Sequence, residues 1–237
     1  VEEIRINKYL SSVGIASRRE IDRLIEIKAI KVNGVLATAG LKVTGEEVIT
    51  INGKPLEKNK VERKVYYMLN KPKGVLSTAK DDRGRKTVID LIDCPERIFP
   101  IGRLDSETEG LILLTNDGEL FNRVIHPKAE VYKEYFAIIA GEVKDKELSR
   151  LAKGVILEDG ATLPAKVKII RREKGKSEVS IAIREGRNRQ VRRMFDAIKH
   201  PVKFLRRDSI GKITLRGLEV GSYRKLTREE VLYLQSM

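Results

Sequence analysis

The sequence predicts an α+β protein in two parts: a small opening unit of short helices and hairpins, then a larger unit in which strands and helices interleave. Three observations carry this. Helix-capping signals stand directly before apolar stripes of helical period. Asn-Gly pairs stand beside short runs of alternating polarity. A fully apolar strand, Leu111 to Leu114, is bracketed by two polar turns. At 237 residues and 41% hydrophobic content, the chain has enough apolar surface to bury a core.

In the opening unit, residues 4–50, Ile6, Leu10 and Val13 fall near helical spacing, and Gly14 ends that helix. Ser17 and Glu20 form a capping box for a second helix with Ile21, Leu24 and Ile25 on one face. Asn33-Gly34 joins Ile30–Val32 to Val35 as a hairpin, and Asn52-Gly53 follows the alternating run 48–51. Residues 54–64 are mostly charged, lack periodicity and read as a linker. Beyond it, strands are expected at 65–69, 75–78 and within 131–140, where Tyr132 and Tyr135 lie. A short helix is expected at 87–92, and helices at 121–125 and 145–153. Two alternating strands, 165–169 and 178–183, flank a turn at Gly175. Val191, Met194, Phe195 and Ile198 give a helix over 188–198, and Thr227 with Glu230 opens a last one.

The net charge of +14 implies an anionic partner, and its distribution narrows the choice. From 184 to 207 nine Lys/Arg face only Glu185 and Asp196, which places +7 in a tenth of the chain. A charge that served only solubility would not cluster in this way. Nucleic acid is favoured over a membrane because no long apolar span or basic amphipathic anchor accompanies the charge. Cys94 stands alone, and His126 and His200 are far apart, so neither a disulfide framework nor a metal centre is expected. No signal peptide is recognised, and a soluble protein of a reducing compartment, the cytoplasm, is the expectation.

Four segments have the composition of a site. Lys71-Pro-Lys73-Gly74 is a basic, stiff turn suited to phosphate, or a plain turn. Residues 102–118 present one central carboxylate, Asp105, from a loop held by a rigid strand; it is either a catalytic group or a turn former paired with Arg103. Tyr132 and Tyr135 are core residues or a platform on which a base stacks. In the segment from Glu185 to Met194, Arg189, Arg192 and Arg193 are spaced to form one cationic helix face, with Arg187 just before it. Together these suit work on a base in RNA: a carboxylate as nucleophile or base, an arginine favouring its charged form, an aromatic ring, and cations for phosphates. No Walker loop, dinucleotide fingerprint or Ser-His pair is present, which points to chemistry without a cofactor.

The opening unit resembles the small RNA-binding domain of the S-four type, through Asn7-Lys-Tyr-Leu10, Gly14-Ile-Ala-Ser-Arg-Arg-Glu20 and Val32-Asn-Gly34. Nearly the whole chain resembles the ribosomal-RNA pseudouridine synthases of the RsuA/RluB family. The resemblance rests on Gly102-Arg-Leu-Asp105-x-x-Thr108-x-Gly110-Leu111, Lys71-Pro-x-Gly74 and Gly186-Arg-Asn-Arg-Gln-Val-Arg-Arg-Met194. It implies that Asp105 is the catalytic aspartate, that Tyr135 (or else Tyr132) is the base-stacking tyrosine, and that Arg192 pairs with the aspartate. Contacts to RNA are expected from Lys8, Arg18, Arg19, Lys31, Lys71, Lys73, Arg103, Arg187, Arg189 and Arg193. The implied reaction isomerises uridine and needs no cofactor or metal. The implied fold is an S-four type domain, 1–58, and a catalytic domain, 59–237, with a mixed, largely antiparallel sheet. Asp82-Arg-Gly-Arg-Lys-Thr-Val-x-Asp-Leu91 and Gly221-Ser-Tyr-Arg-Lys-Leu-Thr227 look more like the branch acting on 23S RNA of the large subunit. A 16S enzyme and a non-catalytic RNA-binding or ribosome-assembly protein are the alternatives. The expected partner is ribosomal RNA, free or in an assembly intermediate, and the expected state is a monomer.

Overall fold

The computed structural model describes residues 3–56, 63–126 and 130–237. They divide into two compact units: Val1–Val65 with Cys94–Arg97 and Asn116–Gly118, and the remainder. In the first, strand β1 (Ile4–Arg5) leads into helix α1 (Ile6–Ser12), and α2 (Arg18–Glu26) follows a turn at Gly14 with φ +81°. Ser17 Oγ accepts the Glu20 backbone N–H at 3.1 Å, while the Glu20 carboxylate takes the guanidinium of Arg23. Strands β2 (Ile30–Val32), β3 (Val35–Leu36), β4 (Lys42–Val43), β5 (Ile49–Ile51) and β6 (Lys54–Pro55) complete the unit. They form an antiparallel sheet in the order β3-β2-β5-β6, with β4 paired to β1. Both Asn-Gly turns have positive φ at both residues, as two-residue hairpin turns of this type require. Ile6, Leu10, Ile21, Ile25, Ile30, Val43 and Ile49 form its core.

The second unit is built on one large sheet. Its elements are β7 (Tyr66–Lys71), a 3₁₀ turn at Ile89–Leu91, β8 (Phe99–Ile101), β9 (Glu109–Thr115), α3 (Gly118–Ile125), β10 (Lys133–Ala140) and α4 (Asp145–Lys153). The hairpin of β11 (Ile156–Leu157) and β12 (Gly160–Ala161) follows. Then come β13 (Lys166–Glu173), β14 (Lys176–Ile183), α5 (Gln190–Asp196), β15 (Val202–Ile210), β16 (Ile213–Thr214), β17 (Tyr223–Lys225) and α6 (Arg228–Gln235). The strand order is β13-β14-β10-β15-β9-β7-β17, and β15–β9 is the parallel pair in an otherwise antiparallel sheet. The expected mixed, largely antiparallel sheet is thus present. In β9, Leu111 to Leu114 are at most 1% exposed, so both of its faces are covered, which is why the strand reads as a continuous apolar run. One core joins Met68, Leu111 and Leu113 to Leu120 and Val124 of α3 and Leu234 of α6.

The two halves of this sheet meet at only two register pairs, Arg206 with Glu109 and Arg207 with Gly110. Gly110 has φ +111°, and a Cβ there would stand 2.3 Å from the Arg207 carbonyl oxygen and 2.6 Å from its nitrogen. Close approach of two backbones and a left-handed conformation both demand glycine at this seam.

Several expectations are corrected. Residues 75–78 are not a strand: only Leu76 makes an isolated bridge, to Thr87, because the Ser77 hydroxyl ties the chain to Leu104 instead. The expected helix at 87–92 is the single 3₁₀ turn. Helix α5 starts two residues later than the expected 188–198, where Arg189 adopts a left-handed conformation at its N-cap, and it ends at Asp196. Tyr132 precedes β10 rather than lying in it. Lys54–Pro55 of the expected linker forms β6, and 57–62, with the proposed boundary at 58/59, lie outside the described residues.

Candidate active site

The Asp105 loop is pinned by its own neighbours on three sides. Ser77 Oγ donates to the Leu104 carbonyl at 2.8 Å and accepts the Leu104 N–H at 3.1 Å. The Ser106 carbonyl accepts from Gly74 N at 2.9 Å and from Lys71 Nζ at 3.3 Å. From α5, Arg192 Nη2 donates to the Glu107 carbonyl at 3.1 Å and reaches Thr108 Oγ1 at 3.4 Å. Thr108 N donates to the Asp105 carbonyl and closes the turn. The backbone around Asp105 is therefore fixed, while its side chain stays 30% exposed. A held backbone under an open carboxylate is the arrangement a reacting group needs.

The ion pair within 4 Å of the carboxylate is made by Arg189, while Arg192 lies near enough for the Asp105 charge to favour its protonated form. Arg189 Nη1 lies 3.7 Å from Asp105 Oδ2, whereas Arg192 donates hydrogen bonds to the backbone and side chain of the loop and to Val202 O. Arg189 reaches this position because its φ of +48° turns it off the helix face. Such a conformation costs a non-glycine residue about 1–2 kcal/mol and is found where the surroundings hold it for a purpose. The expected single cationic face does not form. Arg189 turns to Asp105 and Arg192 to Glu107, while Arg193 makes two 2.9 Å bonds to the Asp159 carboxylate. Arg187 is likewise consumed, donating to the Asp159, Gly160 and Ala161 carbonyls and to Glu185. Asp159, which takes both Arg187 and Arg193, lies in the turn of the β11–β12 hairpin, distant in sequence, so these two arginines tether that hairpin.

Lys71 is the second correction. It is 0% exposed, so it is not a phosphate contact; its ammonium donates to Pro72 O at 2.9 Å and to Ser106 O. Burial lowers its pKa to about 8, against the pull of the Glu109, Asp105 and Glu107 carboxylates. Folding therefore releases a proton from Lys71 between pH 8 and the ordinary lysine value. The unfolded chain binds more protons there, and stability rises with pH through that window. Denaturant titrations at pH 7.5 and pH 10 are expected to show the wild type gaining up to about 2 kcal/mol relative to Lys71→Met. An unchanged difference would mean that the fold does not lower the Lys71 pKa.

Tyr135 is buried on β10. Its Oη lies 3.5 Å from Arg207 Nη1, and Arg207 Nε donates to the Leu111 carbonyl of β9 at 2.7 Å. Tyr132 is half-buried and carries the Lys166 ammonium 4.2 Å above its ring. Burial and the Arg207 charge push Lys133 below the usual lysine value. Lys73 and Arg103 are exposed, as are Lys8, Arg18, Arg19 and Lys31 in the first unit. Sequence reasoning did not single out Ser77 or Arg207. For Arg207 the signal was present, an arginine alternating with apolar residues in 202–210, but the charge run concealed a strand.

Comparison with known proteins fits this geometry. Residues 65–197 match the model of the RNA pseudouridylate synthase family, and residues 4–49 match the S4 domain. The chain is 47% identical over 237 residues to ribosomal large subunit pseudouridine synthase B of Bacillus subtilis (strain 168), covering 98% of this chain and 96% of the relative. It is 37% identical over 231 residues to the dual-specificity RNA pseudouridine synthase RluF of Escherichia coli O157:H7, covering 98% and 78%. A crystal structure of a pseudouridylate synthase superposes with TM-score 0.71 at 32% identity, covering 98% of this chain and 99% of the other. With the Asp105 loop and the basic helix that braces it inside the matched region, the chain belongs to the RNA pseudouridylate synthase family and carries an S4 domain over residues 4–49.

Proposed function

We propose that this enzyme converts uridine to pseudouridine in the 23S RNA of the large ribosomal subunit, with Asp105 as its catalytic carboxylate. The observation that carries the site is the half-buried Asp105 side chain, on a backbone pinned at Leu104, Ser106 and Glu107 and facing Arg189 at 3.7 Å. Tyr135 is read as the base platform. Arg192 acts on the loop that presents the carboxylate, and Arg189 is its charge partner. In the reaction the bond from the ribose to N1 breaks, a bond to C5 forms, C5 loses its proton and N1 gains one. The target base must leave its stack first, at a cost of a few kcal/mol.

The similarity to large subunit pseudouridine synthase B supports the choice of 23S RNA. The exposed Lys8, Arg18, Arg19 and Lys31 support RNA binding by the S4 unit, taken as 1–58, with 59–237 as the catalytic part. Lys73 and Arg103 remain available to phosphates in the second unit. Cytoplasmic action as a monomer completes the reading; among the described residues no helix is long and apolar enough to cross a membrane. The test is tritium release from transcripts of 23S and 16S RNA labelled at uridine C5. Release from 23S and not 16S transcripts is expected, matched by loss of one pseudouridine from the 23S RNA of cells lacking the gene. Release confined to 16S would overturn the choice of RNA.

A further inference from the structure

Arg207 is the only arginine buried among the described residues, at 4% exposure. Its guanidinium takes part in no ion pair among them. Nε donates to Leu111 O at 2.7 Å, Nη1 lies 3.5 Å from Tyr135 Oη, and Nη2 is enclosed without a partner. The guanidinium carbon stands 6.0 Å from the centre of the Tyr135 ring. A buried cation with an idle donor weakens a fold, and an apolar side chain of similar length in its place is often neutral or stabilising. The fold alone therefore gives no reason for arginine here.

The topology supplies one. Tyr135 stands on β10, and the Asp105 loop runs into β9; β15 lies between these strands, with Arg207 opposite Tyr135 on one side and Gly110 on the other. The side chain of Arg207 thus links the tyrosine hydroxyl to the backbone of β9, the strand into which the Asp105 loop runs. We propose that Arg207 is a positioning residue for the isomerisation, setting the Tyr135 ring relative to the Asp105 carboxylate. The proposal rests on the roles assigned above to Tyr135 and Asp105.

Four variants of the full-length protein test it: Arg207→Met, Arg207→Lys, Tyr135→Phe and the Arg207→Met/Tyr135→Phe double. Arg207→Met is expected to keep or raise Tm, to hold the Kd for a 23S transcript within about twofold, and to lower kcat roughly 10- to 100-fold, the scale of a misplaced reacting group. Arg207→Lys should recover part of that loss. Because Arg207 acts through the hydroxyl, the double variant should be no slower than Arg207→Met alone. A fall in Tm for Arg207→Met, an unchanged kcat, or multiplicative losses in the double variant would each overturn the proposal. Failure of the underlying site reading looks different: Asp105→Asn would then remain active whatever Arg207 does.

Discussion

Asp105→Asn is expected to fold, to bind RNA as the wild type does, and to release no tritium from uridine C5. The substitution keeps the size and shape of the side chain and removes its charge. None of the contacts that pin the loop uses the carboxylate: Ser77 holds Leu104, Lys71 and Gly74 hold Ser106, and Arg192 holds Glu107. The ion pair lost is with Arg189, whose side chain is 49% exposed, and such a pair is worth at most about 1 kcal/mol. Tm should therefore barely move, while kcat falls roughly 10⁴-fold or more, as when an essential reacting group is removed. Arg189→Ala should lower turnover less, since it leaves the carboxylate in place. Tritium release by Asp105→Asn at a rate near wild type would remove Asp105 from the chemistry.

Gly110→Ala is expected to produce the largest loss of stability. The added methyl group would meet backbone atoms of Arg207, at 2.3 and 2.6 Å, rather than the yielding end of a side chain. It would also force alanine to adopt φ +111°. Overpacking costs about 1–3 kcal/mol and strained backbone a similar amount, so destabilisation of roughly 2–5 kcal/mol follows. The seam at Gly110 has only two register pairs, so the clash is relieved mainly by parting the halves of the sheet. That would separate Tyr135 from the Asp105 strand and abolish turnover even in the fraction that stays folded. Calorimetry together with tritium release at low temperature checks both parts. A wild-type Tm in this variant would show that the seam is loose.

Much of the local structure could be read from neighbouring residues because short-range chemistry dictates it. The Thr227–Glu230 capping box forms as read, each side chain bonding the other's backbone N–H. Helix α4 occupies the expected 145–153, and both Asn-Gly turns join antiparallel strands. Strand β15 was missed because its arginines and lysines looked like a surface charge run. Its burial alternates, with Leu205, Arg207 and Ser209 enclosed, but period two is hard to recognise when one of the enclosed residues is a cation. Ser77 was missed because its hydroxyl acts on a carbonyl 27 residues away.

The same division runs through the site. Sequence alone determined that Asp105 sits on a short polar turn before a buried strand, and that cations crowd 184–207; both are properties of adjacent residues. Which cation meets which acid was decided by the tertiary structure. Helical spacing put Arg189, Arg192 and Arg193 on one face, but the left-handed conformation of Arg189 and the distant Asp159 sent them to three different partners. Lys71 looked like an exposed contact until the strands around it closed and left its ammonium carbonyls to bind. Charge is written in the sequence, but the direction in which it points depends on burial and on acceptors brought close by the sheet, and those exist only once the chain has folded.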